Sequence, residues 1–289
     1  FTWQMINTYG LDITSSFNDV NSSDTSGVYA VGDQGTIVKI TGITPSVLTF
    51  TGDPIYNTDN IVSVGVSNFA NMVLSINRLE NGKRYGTGFI INDLTTSPVG
   101  ILYDGNQFEN ITDIQAVDAD HLVAVSNYGQ IAKSTDGGDN WFMLPVDSKL
   151  HFNAVYFSNP EEGIAVRSDG AIHATKDSGY TWTILDDSKF YKGLYAYEDE
   201  KVLAFGNDGA AARVIMSAGT NFGVIPYNTG STDDFSAGWF GVVGTKEVII
   251  LSDGTGDLYY TNDASPSGSR TCLLFQSQQA HRHRQPYAP

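Results

Sequence analysis

Two neighbouring stretches decide how this chain is read. Residues 111–141 run ITDIQAVDADHLVAVSNYGQIAKSTDGGDNW, and residues 152–182 run FNAVYFSNPEEGIAVRSDGAIHATKDSGYTW. Each opens with an alternating strand, crosses a polar turn and continues as a second apolar strand, at 122–125 or 164–166. Each then turns at Gly129 or Gly170 and enters a third strand, 130–133 or 171–174. Both close on the same box, Ser134, Asp136, Gly138 and Trp141 in the first, Thr175, Asp177, Gly179 and Trp182 in the second. Alternation of apolar side chains between glycine-centred turns is the pattern of short β-strands. No convincing amphipathic helix accompanies it.

The frame recurs outward from this pair with increasing decay. Phe17 opens FNDV, then GVYAVG, a turn at Asp33-Gln34-Gly35, and TIVKI. Tyr191 opens YKGLYAY, then VLAFG, a turn at Asn207-Asp208-Gly209, and a worn box in which Ser217, Gly219 and Phe222 stand for the Asp, Gly and Trp. Phe235 opens FSAGWFGVV, VIILSDG and DLYYTND, where a box begins at Thr261 and Asp263 without its Gly and Trp. Ile61 opens the most divergent copy. Starts at 17, 61, 111, 152, 191 and 235 give a period of about 40–50 residues, the length of one four-stranded propeller blade.

The expected fold is therefore all-β: a single β-propeller over residues 1–264, of six blades, or seven if one hides in the long second interval. Phe1-Thr-Trp3-Gln-Met5 resembles the outer strand that follows each good box. It is expected to complete the last blade and close the ring, which removes an exposed sheet edge. Residues 265–289, SPSGSRTCLLFQSQQAHRHRQPYAP, lie outside the frame and read as a nonpropeller tail.

Composition narrows the function classes. Sixteen Lys and Arg against thirty-two Asp and Glu leave a formal charge of −16. Such a surface repels nucleic acid and anionic membrane, keeps the chain soluble and suits a basic partner. One cysteine, Cys272, excludes an internal disulfide framework. That fits a reducing compartment, and equally a bacterial or viral exterior that does without disulfides. No run approaches the roughly 18 apolar residues of a membrane span. The sequence opens at Phe1 rather than Met, which leaves room for a removed signal peptide. An extracytoplasmic or virion-associated location is favoured. Asn21-Ser22-Ser23 and Asn110-Ile111-Thr112 match the glycosylation acceptor pattern, a match that arises often by chance.

The box has a physical task. Its Ser or Thr and its Asp offer oxygens to the backbone N–H groups of a hairpin turn. Its Gly supplies positive φ, and its Trp buries a large ring. These residues therefore read as structural rather than substrate-binding. The box is that of Asp-box, or BNR, repeats. With a strand of G-x-I type before it and an aromatic outer strand after it, the chain resembles the photosystem II stability/assembly factor family over about residues 1–264, most sharply over 111–185. Sialidases and some glycoside hydrolases share the box. The resemblance implies a propeller that binds an unfinished membrane-protein complex without catalysis of its own. The family carries a basic surface patch. Here, within the ring, only Arg78, Arg84, Arg167 and Arg213 could contribute to one. Proteins of this likeness also occur among virion and secreted proteins.

An enzyme reading needs more than the fold. A sialidase-like site would combine an arginine triad, a Tyr–Glu pair and an Asp acid. Arg84, Arg167 and Arg213 come from separate copies, but the usual Arg-Ile-Pro segment is absent and glutamates are sparse. His121, His151 and His173 lie in different copies without metal-ligand spacing, and His281 and His283 flank Arg282 in the tail. Asp253-Gly-Thr-Gly-Asp257 could hold calcium, but reads more simply as a β-turn. No cofactor, metal or catalytic residue is assigned. The candidate partner-binding residues are those the repeat does not require: Arg84 and Tyr85 in the long second interval, Arg167 where other copies have Gly32, Ser126 or Gly206, and Trp239 where others have Val20, Ile114, Val155 or Leu194. The expected function is a noncatalytic scaffold that binds a protein partner, as an assembly factor or as a structural component of a larger particle. A glycan-binding or glycan-cleaving propeller is the alternative.

Overall fold

A computed structural model describes residues 16–23, 27–41, 44–47, 59–66, 71–80, 83–92, 99–100, 111–144, 150–197, 201–216, 222–243, 245–255, 257–261 and 273–275. These residues form six antiparallel sheets of four strands each. The first holds β1 (Phe17–Ser23), β2 (Gly27–Gly32), β3 (Ile37–Thr41) and β4 (Thr44–Val47). The second holds β5 (Asn60–Val66), β6 (Asn71–Glu80), β7 (Lys83–Asn92) and β8 (Val99–Gly100). The third is β9 (Ile111–Ala116), β10 (Leu122–Ser126), β11 (Ile131–Ser134) and β12 (Phe142–Met143). The fourth is β13 (Phe152–Phe157), β14 (Gly163–Arg167), β15 (Ile172–Thr175) and β16 (Thr183–Asp186). The fifth is β17 (Tyr191–Ala196), β18 (Lys201–Gly206), β19 (Ala211–Ile215) and β20 (Gly223–Pro226). The sixth is β21 (Phe235–Val243), β22 (Lys246–Asp253), β23 (Leu258–Thr261) and β24 (Leu273–Phe275).

The strands of every sheet follow chain order, and each opens as the periodicity predicts. The all-β propeller class stands. The expected single ring of six or seven blades, closed by the N-terminal strand, is corrected. Five blades take all four strands from one copy of the repeat, over residues 17–226. The sixth sheet takes its outer strand from beyond the frame: Leu273, Leu274 and Phe275 pair with Tyr260, Tyr259 and Leu258. That position was expected for Phe1–Met5, which lies outside the described residues. The physical reason is local. Cys272-Leu-Leu-Phe275 is the one apolar run in the tail, and a strand from the same chain end satisfies the open edge of β23 with a short connection. The chain forms two compact units, one of residues 1–188 with 217–222, the other of 189–216 with 223–289. The first carries sheets one to four, the second sheets five and six.

One irregularity recurs in all six sheets. The pairing of the innermost strand with its neighbour slips beside the strand's first residues: between Phe17 and Asp19, Ile61 and Ser63, Phe152 and Ala154, Tyr191 and Gly193, and Phe235 and Ala237. In the third sheet the slip falls opposite Ile111, at Val125/Ser126. A bulge inserts one unpaired residue and re-aims its side chain. In the first unit those side chains stitch adjacent sheets. Asn18 Nδ2 donates to Asn60 Oδ1 at 2.7 Å and to the Ile61 carbonyl at 2.9 Å. Thr112 Oγ1 donates to the Phe152 carbonyl at 2.9 Å. Asn77, on β6, reaches the same seam from the side and pairs with both the N–H and the C=O of Ile111.

Apolar layers fill the space between sheets. Val123, Val125, Ile131, Leu144, Phe152, Val155, Phe157 and Ala165 make one buried cluster, with Trp182 packed on it. Ile111, Ile114, Leu122, Ala124 and Ala132 make another, with Trp141 and Met143 against it. The second unit has its own core of Leu203, Phe205, Phe235, Phe240, Ile249, Leu251 and Tyr259.

Candidate functional site

The two box hairpins are nearly superimposable in their bonding. Ser134 Oγ accepts the Gly138 N–H at 2.7 Å and donates to Asp136 Oδ1 at 2.8 Å. The same carboxylate accepts the Asn140 N–H at 2.8 Å and the Asn140 amide at 2.7 Å. Thr175 Oγ1 accepts the Gly179 N–H at 2.9 Å and donates to Asp177 at 2.8 Å, and Asp177 accepts the Thr181 N–H and hydroxyl at 2.8 and 2.6 Å. Hydrogen bonds from Asn140 hold the Asp136 carboxyl below its ordinary range. For Asp177 desolvation pushes upward, but the Thr181 and Thr175 bonds outweigh it and the net direction is down. Gly138 and Gly179 sit at φ of 95° and 91°, where a side chain would be strained. Trp182 Nε1 donates to the Gly179 carbonyl at 3.0 Å, and its ring meets Phe152 and Phe157 edge-on at 5.6 and 6.1 Å. The side-chain hydrogen bonds of these two aspartates all lie within the turn. They are built to hold a hairpin.

The opposite ends of the sheets carry the hairpins between second and third strands. In sheets one, four and five these tips are tied down by segments leading into the inner strands. Asp33 N–H donates to the Ser16 carbonyl and Gly35 N–H to the Asp59 carbonyl, both at 3.0 Å, and Ser168 N–H donates to the His151 carbonyl at 2.8 Å. The second unit repeats the device, with Asn207 N–H on the Phe190 carbonyl and Gly209 N–H on the Asp233 carbonyl at 2.8 Å. In each of these hairpins the backbone of the tip is bonded to a segment that precedes an inner strand.

Three of the four sequence-derived candidates belong to strands next to such second-to-third-strand hairpins. Arg167 ends β14 beside the tip, but it is buried. Its guanidinium lies 4.6 Å from the centre of the Phe152 ring, and Nη2 donates to the Leu150 carbonyl at 2.9 Å. Its Nε has no partner, and burial pulls its pKa down against the opposing charge of Asp169. Asp169 in turn bonds His173 Nε2 at 2.9 Å. Arg84 and Tyr85 lie in β7, paired with Leu79 and Arg78 next to the β6–β7 hairpin. Their side chains lie outside the described residues. Trp239 belongs to the second unit and sits mid-strand on β21 opposite Ile250, 36% exposed. Its indole bonds the Tyr195 phenol, and its ring occupies the space that a Cβ on Gly241 would need. Arg167 and the Arg84–Tyr85 pair belong to sheets four and two of the first unit, and Trp239 belongs to the second unit.

Sequence reasoning passed over two residues. Tyr128 stands at the tip of the β10–β11 hairpin, 53% exposed, with its ring 6.1 Å from that of His151. The signal was available: the same slot holds Gln34, Asp169 and Asp208 in other copies. Lys133 is buried on β11 and its Nζ donates to the carbonyls of Pro160 and Ser178 in the next sheet, at 2.8 and 3.2 Å, above the Phe157 ring. Burial lowers its pKa. A charged residue inside an apolar strand was its signature. A cavity of about 490 Å³ opens between β16 and Phe222, the residue in the tryptophan slot of the worn box, with Lys176 5.0 Å above the phenyl ring. Among the described residues no three His, Cys, Asp or Glu side chains are grouped to hold a metal, and no helix is long and apolar enough to cross a membrane.

Sheets of four strands in chain order, with bulged inner strands and a rim of tied hairpins, define the class as a β-propeller protein. No family model matches the chain, and no curated protein matches it by sequence. Solved structures do match by fold. One described as YCF48 bound to D1 peptide shares 18% identity over 91% of this chain and 82% of that one, at a TM-score of 0.67. YCF48 from Cyanidioschyzon merolae shares 14% over 88% and 84%, at 0.64. The GH74 enzyme of Niastella koreensis shares 13%, covering 90% of this chain and 45% of that one, at 0.65. At such identities the likeness is one of fold.

Proposed function

We propose that this chain is a noncatalytic Asp-box propeller that docks on a protein partner, as an assembly factor or as a structural part of a larger extracytoplasmic or virion-associated particle. The observation that carries the reading is the exposed ring of Tyr128 at the tip of the β10–β11 hairpin. At the box end the aspartates hold hairpins, one of which also exposes Tyr180. At the other end the corresponding tips of sheets one, four and five are bonded through their backbone to segments that precede inner strands. Aromatic rings shown to solvent on hairpins held in this way suit recognition of a polypeptide. That a similar fold has been seen with a bound peptide supports the reading. Arg84, Tyr85 and Trp239 remain the proposed contact residues, joined by Tyr128. Arg167, buried against the Phe152 ring and the Leu150 carbonyl, supports the β14–β15 tip from beneath.

The test is recovery of a partner from the native source, followed by quantitative binding with variants. Tyr128→Ala and Arg84→Glu should each weaken the partner at least tenfold while leaving circular dichroism and the melting temperature unchanged. Raising the salt should weaken binding further wherever the acidic surface takes part. Turnover of a polysaccharide or sialoside, lost on substitution of a single Glu or Tyr in a folded protein, would overturn the proposal in favour of a glycan-cleaving propeller.

A further inference from the structure

We infer that Asp19, Ser63 and Asp113 form a proton-sharing bridge across the inner strands of three successive sheets, and that this bridge makes the seam between those strands responsive to pH. The inference is independent of the partner reading and concerns the first unit alone.

The three residues occupy one position in the repeat, the first after the inner-strand bulge on β1, β5 and β9. The same position on β13, β17 and β21 holds Ala154, Gly193 and Ala237, so the polar bridge is confined to one arc of the repeat. Ser63 is buried. Its Oγ lies 2.9 Å from Asp19 Oδ2 and 3.0 Å from Asp113 Oδ1. A hydroxyl has one hydrogen and can donate to one of these oxygens. The other contact, at the same distance, is a hydrogen bond only if the carboxyl itself carries the proton. Two carboxylates and one hydroxyl therefore lack one proton, and a single proton taken up by the pair completes both contacts.

Each oxygen of the two carboxyl groups, those that meet Ser63 included, also accepts one backbone N–H. Asp19 accepts those of Val20 at 2.8 Å and Val64 at 2.9 Å, and Asp113 those of Ile114 at 2.9 Å and Val155 at 3.0 Å. Each carboxyl thereby reaches the inner strand of the following sheet, so the bridge ties β1 to β5, β5 to β9, and β9 to β13. The charge that Asp113 faces is that of Asp19. The other titratable side chains on the strands packed against β1 and β9 are Tyr29 of β2 and Tyr156 of β13, with Arg78 and Glu80 at the end of β6 and Lys83, Arg84 and Tyr85 at the start of β7.

Burial raises the Asp113 carboxyl to about 7, with the Asp19 charge pushing the same way, and burial raises Asp19 as well. The sign follows from linkage. A carboxyl raised in the folded state stabilises most below its unfolded value near 3.8. That stabilisation fades as the pH climbs through about 7. The bridge is complete on the acid side of neutrality, and loses its second hydrogen bond and gains a like-charge contact above it.

The test is a carbon-13 magnetic resonance titration of aspartate carboxyls in the full chain. One carboxyl should remain protonated at pH 6 and ionise with a midpoint near 7. Asp113→Asn should abolish that titration: its amide can donate to Ser63 and its carbonyl can accept from Val155, at the cost of the Ile114 N–H acceptor. Asp19→Asn removes the neighbouring charge and should move the midpoint down, and it serves alone if Asp113→Asn does not fold. The Val64 and Val155 amides should exchange with solvent faster above pH 7 than intrinsic chemistry requires, in the wild type but not in Asp113→Asn. Every aspartate fully ionised at pH 6 in the folded protein, or a midpoint unmoved by Asp19→Asn, would overturn the inference.

Discussion

Replacing Trp182 with alanine should be among the most damaging single changes available in the first unit. The indole bridges three things at once: the Phe152 and Phe157 rings, the apolar layer between sheets three and four, and the Gly179 carbonyl of its own turn. Emptying a fully buried Trp site costs about 3–5 kcal/mol. Trp182 is only partly buried, which places the packing loss at the lower end, about 3 kcal/mol. Losing the indole N–H bond adds about 1 kcal/mol. Trp182→Phe separates the two contributions: a ring remains against Phe152 and Phe157, and the loss should be about 1–2 kcal/mol. Urea denaturation followed by circular dichroism and by near-ultraviolet signal measures both, and two probes are needed because the chain has two compact units. If Trp182→Ala shifted stability by less than about 1 kcal/mol, or if Trp182→Phe cost as much as alanine, the ring would not be part of the load between the sheets as argued from these contacts.

Lys133→Met keeps the aliphatic stem over Phe157 but strips the Pro160 and Ser178 carbonyls of their donor. A loss of about 1–3 kcal/mol in thermal or chemical unfolding is expected, and a neutral result would mean that water replaces the amine. Ser178 holds a φ of 64°, where the sister box has Gly137 at 68°. Ser178→Gly relieves about 1–2 kcal/mol of left-handed strain, offset by about 0.4–1 kcal/mol of added freedom in the unfolded chain. The melting temperature should hold or rise slightly, and a clear fall would show that the Ser178 side chain contributes something the turn geometry does not reveal.

How far the sequence could be read depended on how strictly each position repeats. The strands of copies three and four were legible because apolar alternation and Gly129 or Gly170 bracket them, and the box because its Ser, Asp and Gly each answer to a backbone N–H or a positive φ. What failed was the end of the repeat. Phe1–Met5 and Leu273–Phe275 are both short apolar runs, and alternation cannot say which one meets the open edge of β23. The candidate site was less legible for a different reason. Arg167 stood out because its slot in other copies is small. That slot looks toward Phe152 and a carbonyl rather than toward solvent. Tyr128 lies in a slot that faces water wherever it holds Gln34, Asp169 or Asp208 as well, so only its chemistry distinguishes it. The Asp19–Ser63–Asp113 contacts join residues 44 and 50 positions apart. They depend on a bulge that shifts the strand's register by one residue, and no periodicity in the sequence marks it.

The outer strand of the sixth sheet has a practical consequence for anyone who works with this protein. A chain cut after residue 264, where the repeat frame ends, would lose Leu273–Phe275 and leave Tyr259 and Tyr260 on a bare strand with unmet backbone donors and acceptors. Such a strand is a template for another copy of itself. The shortened protein should therefore clump or dimerise through β23 at concentrations where the full chain stays dispersed. A peptide of the sequence Cys272-Leu-Leu-Phe275 with a few flanking residues, added in excess, should suppress that self-association by reoccupying the vacant edge.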